Sequence, residues 1–214
     1  MRREAIARVI EAYDDPVIRT YSRARFLILR QRFLDEIGQY LPLEGTILDI
    51  GCGFGLFSLY YAQLRPGARL RGVDLNARRI AIATEAARRL GLGNVAYAVG
   101  DARDFHPEDD LAAAYMLDIV HHIPLETVEP LLTALHKGIR AGGRLVVKDV
   151  DTQPAYKRWF THALDLAMNP RGVIHYWPAG ELHALLARVG FRVYRHLMVD
   201  FLPYPHVLYV CERD

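Results

Sequence analysis

The chain has 214 residues, 51% of them hydrophobic and 24% charged, with a formal net charge of +2. That is enough for a sizeable single core, and its charge is too balanced to point to nucleic acid. Its two cysteines, Cys52 and Cys211, form neither a disulfide framework nor a zinc spacing.

Cysteine usage predicts a reducing, cytoplasmic compartment. With no apolar run long enough to span a bilayer, the expectation is a soluble protein that touches a membrane at most at its surface. Residues 1–40 read as one or two helices, interrupted around Asp14-Asp15-Pro16 and ending near Gly38 and Pro42. Between residues 16 and 34 this segment carries Arg19, Arg23, Arg25, Arg30 and Arg32 without an acid, interleaved with Phe26, Leu27, Ile28, Leu29, Phe33 and Leu34. The pattern fits a capping helix with a solvated face, a peripheral contact with anionic lipid, or recognition of an acidic substrate.

From residue 46 the pattern alternates strands and helices as a parallel sheet requires. Strands are predicted at 46–50, 69–74, 95–99, 112–117 and 143–149, with helices at about 56–64, 77–90, 125–139 and 179–189. The most informative stretch is the first junction. An apolar strand containing Asp49 runs into Gly51-Cys52-Gly53-Phe54-Gly55, and Leu56 to Ala62 then opens a helix. Glycines at alternate positions let a ligand approach the backbone, and the helix N–H groups face it. A dinucleotide turn wants Gly-x-Gly-x-x-Gly, but Leu56 stands where the last glycine would fall. Asp49 would also repel a pyrophosphate, so a cationic, phosphate-free ligand suits this turn better.

An acid two residues before Gly-x-Gly-x-Gly resembles the first motif of the class I S-adenosylmethionine-dependent methyltransferases. The resemblance spans roughly residues 42–214. It implies a Rossmann-like, doubly wound α/β sheet of seven strands in the order 3-2-1-4-5-7-6, with strand 7 antiparallel, under an N-terminal helical cap. The corresponding division is a single domain, 1–214. It comprises the cap (1–41), a cofactor-binding core (42–150), a lid-like insertion (151–178), and a last helix with a closing hairpin (179–214). The hairpin also follows from the residues, because Phe191–Val199 and Val207–Glu212 are joined too closely for a parallel crossover.

Further along, Asp74 ends the second strand 23 residues beyond Gly51, where a carboxylate takes hydrogen bonds from ribose hydroxyls. Its alternative use is capping the next helix, although Asn76 is better placed for that. By resemblance, Leu75 also lines the cofactor, while Asp101 and Ala102 meet the adenine. Leu117 and Asp118 open the loop after the fourth strand, where ligands of parallel sheets bind. Leu117-Asp-Ile-Val-His121-His122-Ile-Pro124 resembles the Leu-His-His type of fourth motif of small-molecule methyltransferases. Of two adjacent histidines, one is expected to brace the loop and the other to act as base.

Acceptor contacts are expected from Lys148, Trp159, His175, Tyr176, Tyr204 and His206, several of them in the aromatic, cationic stretch 152–178. Asp118, Asp149 and Asp151 are also arranged as Mg²⁺-dependent catechol methyltransferases arrange acids, but Lys148 competes as a counter-charge, so no metal is expected. No base-gripping Pro-Pro-Tyr/Phe or Pro-Cys motif follows the fourth strand, so nucleic acid is not the expected acceptor. The chain is expected to methylate oxygen or nitrogen of a small or amphiphilic molecule. The alternatives are a lipid-linked acceptor at a membrane surface and a non-catalytic interaction module.

Overall fold

The computed structural model describes residues 2–101, 110–152, 174–198 and 205–214. The chain divides into two compact units, Met1–Asp101 and Ala102–Asp214. Among the described residues seven strands form one sheet in the order β3-β2-β1-β4-β5-β7-β6, as the methyltransferase resemblance implied.

In the first unit, helices α1 (Arg2–Glu11), α2 (Pro16–Ile28) and α3 (Gln31–Gly38) precede β1 (Gly45–Ile50), α4 (Leu56–Leu64), β2 (Ala68–Asp74), α5 (Ala77–Leu90) and β3 (Val95–Val99). The N-terminal segment is thus three helices rather than one or two. The Asp14–Pro16 break is as expected, with the Asp15 side chain accepting Val17 N–H and Pro16 in the first turn. The second break lacks such a signal: Leu29 leaves helical geometry (φ −89°, ψ 78°) where its side chain is fully buried. No breaker residue marks this end of α2.

Strands β1, β2 and β3 pair in parallel, with Asp49 opposite Gly72 and Gly72 opposite Tyr97. Helix α5 is local physics throughout. Asn76 accepts Arg79 N–H at 3.1 Å, Ile80, Ala83, Ala86 and Ala87 form the buried face, and Gly91 ends the helix at φ 66°.

The second unit contains β4 (Leu111–Leu117), a short 3₁₀ turn (Val120–His122), α6 (Leu125–Gly138), β5 (Ile139–Val150), α7 (Ala179–Val189), β6 (Arg192–Met198) and β7 (His206–Glu212). β4 is buried along its whole length, as its unbroken apolar run demands. β4 and β5 are parallel, while β7 lies antiparallel to both β5 and β6. β5 begins at Ile139, four residues before its expected start, with a register shift between Leu111 and Ala113. Arg213 explains the extension: its guanidinium donates to Lys137 O and Ile139 O, and its backbone bonds Gly142 and Gly143.

Candidate functional site

The turn after β1 is built from three glycines in left-handed geometry, Gly51, Gly53 and Gly55, at φ 72°, 56° and 79°. Only glycine adopts this freely, so the sequence pattern is a backbone requirement. Gly51 N–H and Cys52 N–H bond Val73 O at 2.8 and 3.1 Å, and Gly55 N–H closes the turn on Cys52 O at 2.8 Å. A Cβ on Gly53 would meet no atom within 4 Å, whereas one on Gly55 would collide with Tyr97. The space over Gly53 is therefore open to a ligand.

Asp74 sits beside this turn. Its Oδ2 accepts Gly53 N–H and its Oδ1 accepts Asn76 N–H, both at 2.9 Å. A carboxylate has about four acceptor directions, so two backbone donors leave capacity for hydroxyls. Asp49 is buried in β1 and Leu75 is exposed just beyond Asp74. Asp101 is partly exposed past the end of β3, following Gly100, whose N–H bonds Asp74 O at 3.1 Å. Burial, then the Asp49 and Asp74 carboxylates, push the Cys52 thiol well up, so it is a neutral lining atom rather than a nucleophile.

The N-terminal aromatic and basic residues serve the turn itself. Tyr13 donates its hydroxyl to Phe54 O at 2.8 Å, and Arg19 donates in turn to Tyr13 O. Tyr21 packs edge-on to Phe54 with centroids 5.6 Å apart, and Arg25 lies 5.7 Å over the Phe57 ring. Arg19 and Arg25 are thus engaged within their own unit. No helix among the described residues is long and apolar enough to cross a membrane.

In the second unit, the chemistry gathers at the C-terminal ends of β4 and β5. Leu117 is buried, and Asp118 follows it in left-handed geometry at φ 57°. Asp118 N–H bonds Lys148 O at 2.8 Å, and its carboxylate takes the Lys148 ammonium. Lys148 is fully buried. Expected as an acceptor contact, it instead pairs in register with Leu117 and directs its charge to Asp118.

Asp149 is the partner that sequence reasoning missed. One oxygen takes His121 Nδ1 and the other takes His121 N–H at 3.1 Å. The His122 ring lies 4.1 Å from that of His121 and is half-buried. Tyr176 stacks on His121 at 5.5 Å, and His175 N–H bonds His121 O at 2.8 Å. Two expected acceptor residues therefore sit on the histidine loop. His206, also expected to contact an acceptor, is 1% exposed and lies opposite Val150 inside the sheet. Ala102, Trp159, Tyr204 and most of the expected insertion lie outside the described residues.

Asp118 and Asp149 thus carry partners of their own, and the third acid, Asp151, accepts Thr152 N–H and Ala179 N–H at 2.7 and 3.1 Å. Among the described residues no group of three His, Cys, Asp or Glu could hold a metal ion.

The profile of one family, described as a methyltransferase domain, matches residues 21–196. The chain is 28% identical over 117 residues to phosphoethanolamine N-methyltransferase 2 of Caenorhabditis elegans, covering 54% of this chain and 26% of that protein. It is 31% identical over 173 residues to ribosomal RNA small subunit methyltransferase G of Xanthomonas euvesicatoria pv. vesicatoria, covering 80% of this chain and 72% of that protein. The chain spans only about a quarter of the first relative's length. Among solved structures, magnesium protoporphyrin IX methyltransferase from Synechocystis PCC 6803 with bound S-adenosylhomocysteine superposes with a TM-score of 0.67. Identity is 19%, over 86% of this chain and 84% of that one.

Proposed function

Because the chain belongs to the methyltransferase domain family and takes S-adenosylmethionine as its cofactor, we propose that it methylates oxygen or nitrogen of a small or amphiphilic acceptor. The observation that carries the cofactor site is the open space over Gly53 beside a carboxylate already anchored to that residue's N–H. In this reading Asp49, Gly51, Cys52, Gly53, Gly55, Asp74, Leu75 and Asp101 hold the methyl donor in the first unit.

The cofactor supplies a sulfonium-bound methyl that is already activated, so the protein's task is alignment, exclusion of water and, where needed, acceptance of a proton. Lys148 holds the strained Asp118, and with it the loop after β4. Asp149 grips both the ring and the main chain of His121, which supports a bracing role for that residue. His122, half-buried beside it, is the better general base, worth about 10²–10⁴-fold where the acceptor must lose a proton. His175 and Tyr176 supply acceptor contacts around that loop.

A second reading is favoured by the likeness to a ribosomal RNA methyltransferase across 72% of that protein. It widens the acceptor to nucleic acid, against the expectation from missing base-gripping motifs. The experiment is a labelled-methyl screen of cell extract fractionated into metabolites, lipids and RNA. Label in the metabolite or lipid fraction supports the first reading, and label in RNA replaces it with the second. Calorimetry that detects neither S-adenosylmethionine nor S-adenosylhomocysteine overturns both.

A further inference from the structure

One aromatic side chain at the glycine turn has no part in the reading above. Tyr97 lies in the middle of β3, paired with Gly72 of β2. Its ring crosses the space over Gly72: a Cβ there would stand 2.5 Å from Cδ1 and 2.6 Å from Cε1. The far end of the ring reaches the turn, where a Cβ on Gly55 would meet the hydroxyl oxygen at 2.5 Å and Cζ at 2.8 Å. Two glycines on different elements are therefore required by one tyrosine.

The hydroxyl lies 3.0 Å from Ser58 Oγ and 3.4 Å from Gly55 O. Ser58 Oγ donates to the same carbonyl at 3.3 Å, and Leu59 N–H does so at 2.8 Å. On the preceding peptide, Phe54 O takes the Tyr13 hydroxyl at 2.8 Å. Burial pushes both phenols well above their ordinary range, so both remain protonated donors at physiological pH.

A peptide is planar and trans, so anchoring a carbonyl sets the direction of the N–H across the same bond. Tyr13 thereby orients the Phe54–Gly55 peptide, and the Tyr97–Ser58 pair orients the Gly55–Leu56 peptide. The latter carries the first N–H of α4, a donor left without an intrahelical partner by its position. Packing alone would be served by phenylalanine; the hydroxyl is what reaches the turn.

We propose that Tyr97 is a positioning residue for the methyl donor, holding left-handed Gly55 and the opening of α4 through Ser58 while Tyr13 holds the peptide before. The proposal rests on the cofactor reading above. Its test is Tyr97→Phe, which keeps the ring and removes the hydroxyl, titrated with S-adenosylhomocysteine by calorimetry at a temperature well below Tm. Loss of one neutral hydrogen bond is expected to raise Kd roughly five- to tenfold. Amide exchange in residues 51–58 should quicken while that of α5 stays as in the wild type.

Ser58→Ala should raise Kd similarly, and the double variant should be no worse than the weaker-binding single one, since both act through one contact. Tyr97→Phe binding as tightly as the wild type, whatever its Tm, overturns the proposal, and so do additive effects. Should Tyr97→Phe not fold, unchanged affinity in Ser58→Ala overturns it instead. A wild type that does not bind S-adenosylhomocysteine defeats the cofactor reading itself.

Discussion

The Asp74 carboxylate accepts the backbone N–H of Gly53 at 2.9 Å, joining the last residue of β2 to the middle of a turn 21 residues earlier. Its other oxygen takes Asn76 N–H at the same distance. One side chain therefore couples the glycine turn to the start of α5. Through it, the methyl donor proposed for this turn would be coupled to both.

Asp74→Ala is expected to weaken methyl-donor binding by about 2–4 kcal/mol, the loss of two charge-assisted hydrogen bonds. It should also lower Tm, because Gly53 and Asn76 lose their acceptor. Asp74→Asn keeps one acceptor oxygen and should fall between the two. Calorimetry with thermal melts checks this; a folded Asp74→Ala protein with unchanged affinity would make Asp74 a purely structural cap.

Gly53→Ala and Gly55→Ala should separate affinity from stability. Both impose left-handed geometry on an L-residue, at about 1–2 kcal/mol. Only Gly55→Ala adds a collision with Tyr97, so its Tm should fall further. Gly53→Ala, whose methyl enters open space, should lose more affinity than stability, and Gly53→Val more still. Equal drops in Tm for the two alanine variants would contradict the geometry.

Lys148→Met should cost about 3–5 kcal/mol in denaturant unfolding, since it leaves the Asp118 carboxylate without its cation. Adding Asp118→Asn should recover most of that loss, because asparagine carries no charge and tolerates the left-handed backbone. A single variant as stable as the wild type would show that the pair contributes nothing.

The two histidines should respond differently. His121→Ala and Asp149→Asn are expected to lower Tm, because each breaks the contact that holds the loop. His122→Ala should lower kcat by roughly 10²-fold or more while leaving methyl-donor Kd nearly unchanged. If His122→Ala is fully active and His121→Ala is folded but inactive, the roles are reversed.

Chelation is expected to leave turnover unchanged, because Asp118 and Asp149 already hold Lys148 and His121. Activity abolished by EDTA and restored by Mg²⁺ would convert the acids after β4 and β5 into a metal site.

Features governed by neighbours a few residues apart were legible in the chain. The glycine turn, the Asn76 cap, the helix expected at about 77–90 and strands β1 to β4 fall within one residue of where periodicity and turn chemistry put them. In the turn and at the helix ends the local signal is a residue's own φ or a bond spanning three or four positions, and in the strands it is the apolar run itself. The closing hairpin was legible for a similar reason, since a short connection forbids a parallel crossover.

What lay beyond reach depended on register between distant segments. α2 ends at a fully buried leucine, Leu29, with no breaker beside it, and β5 starts early because Arg213 binds Ile139 and Gly142 from the far end of the chain. Lys148 and His206 have the composition of acceptor contacts, yet the pairing of β5 with its neighbours turns both inward. The same pairing brings Asp149 to His121, and β2–β3 register places Tyr97 over Gly72. A side-chain period of two says which residues share a face of a strand. It does not say which residue of another strand stands opposite, and that choice is made by the packed sheet.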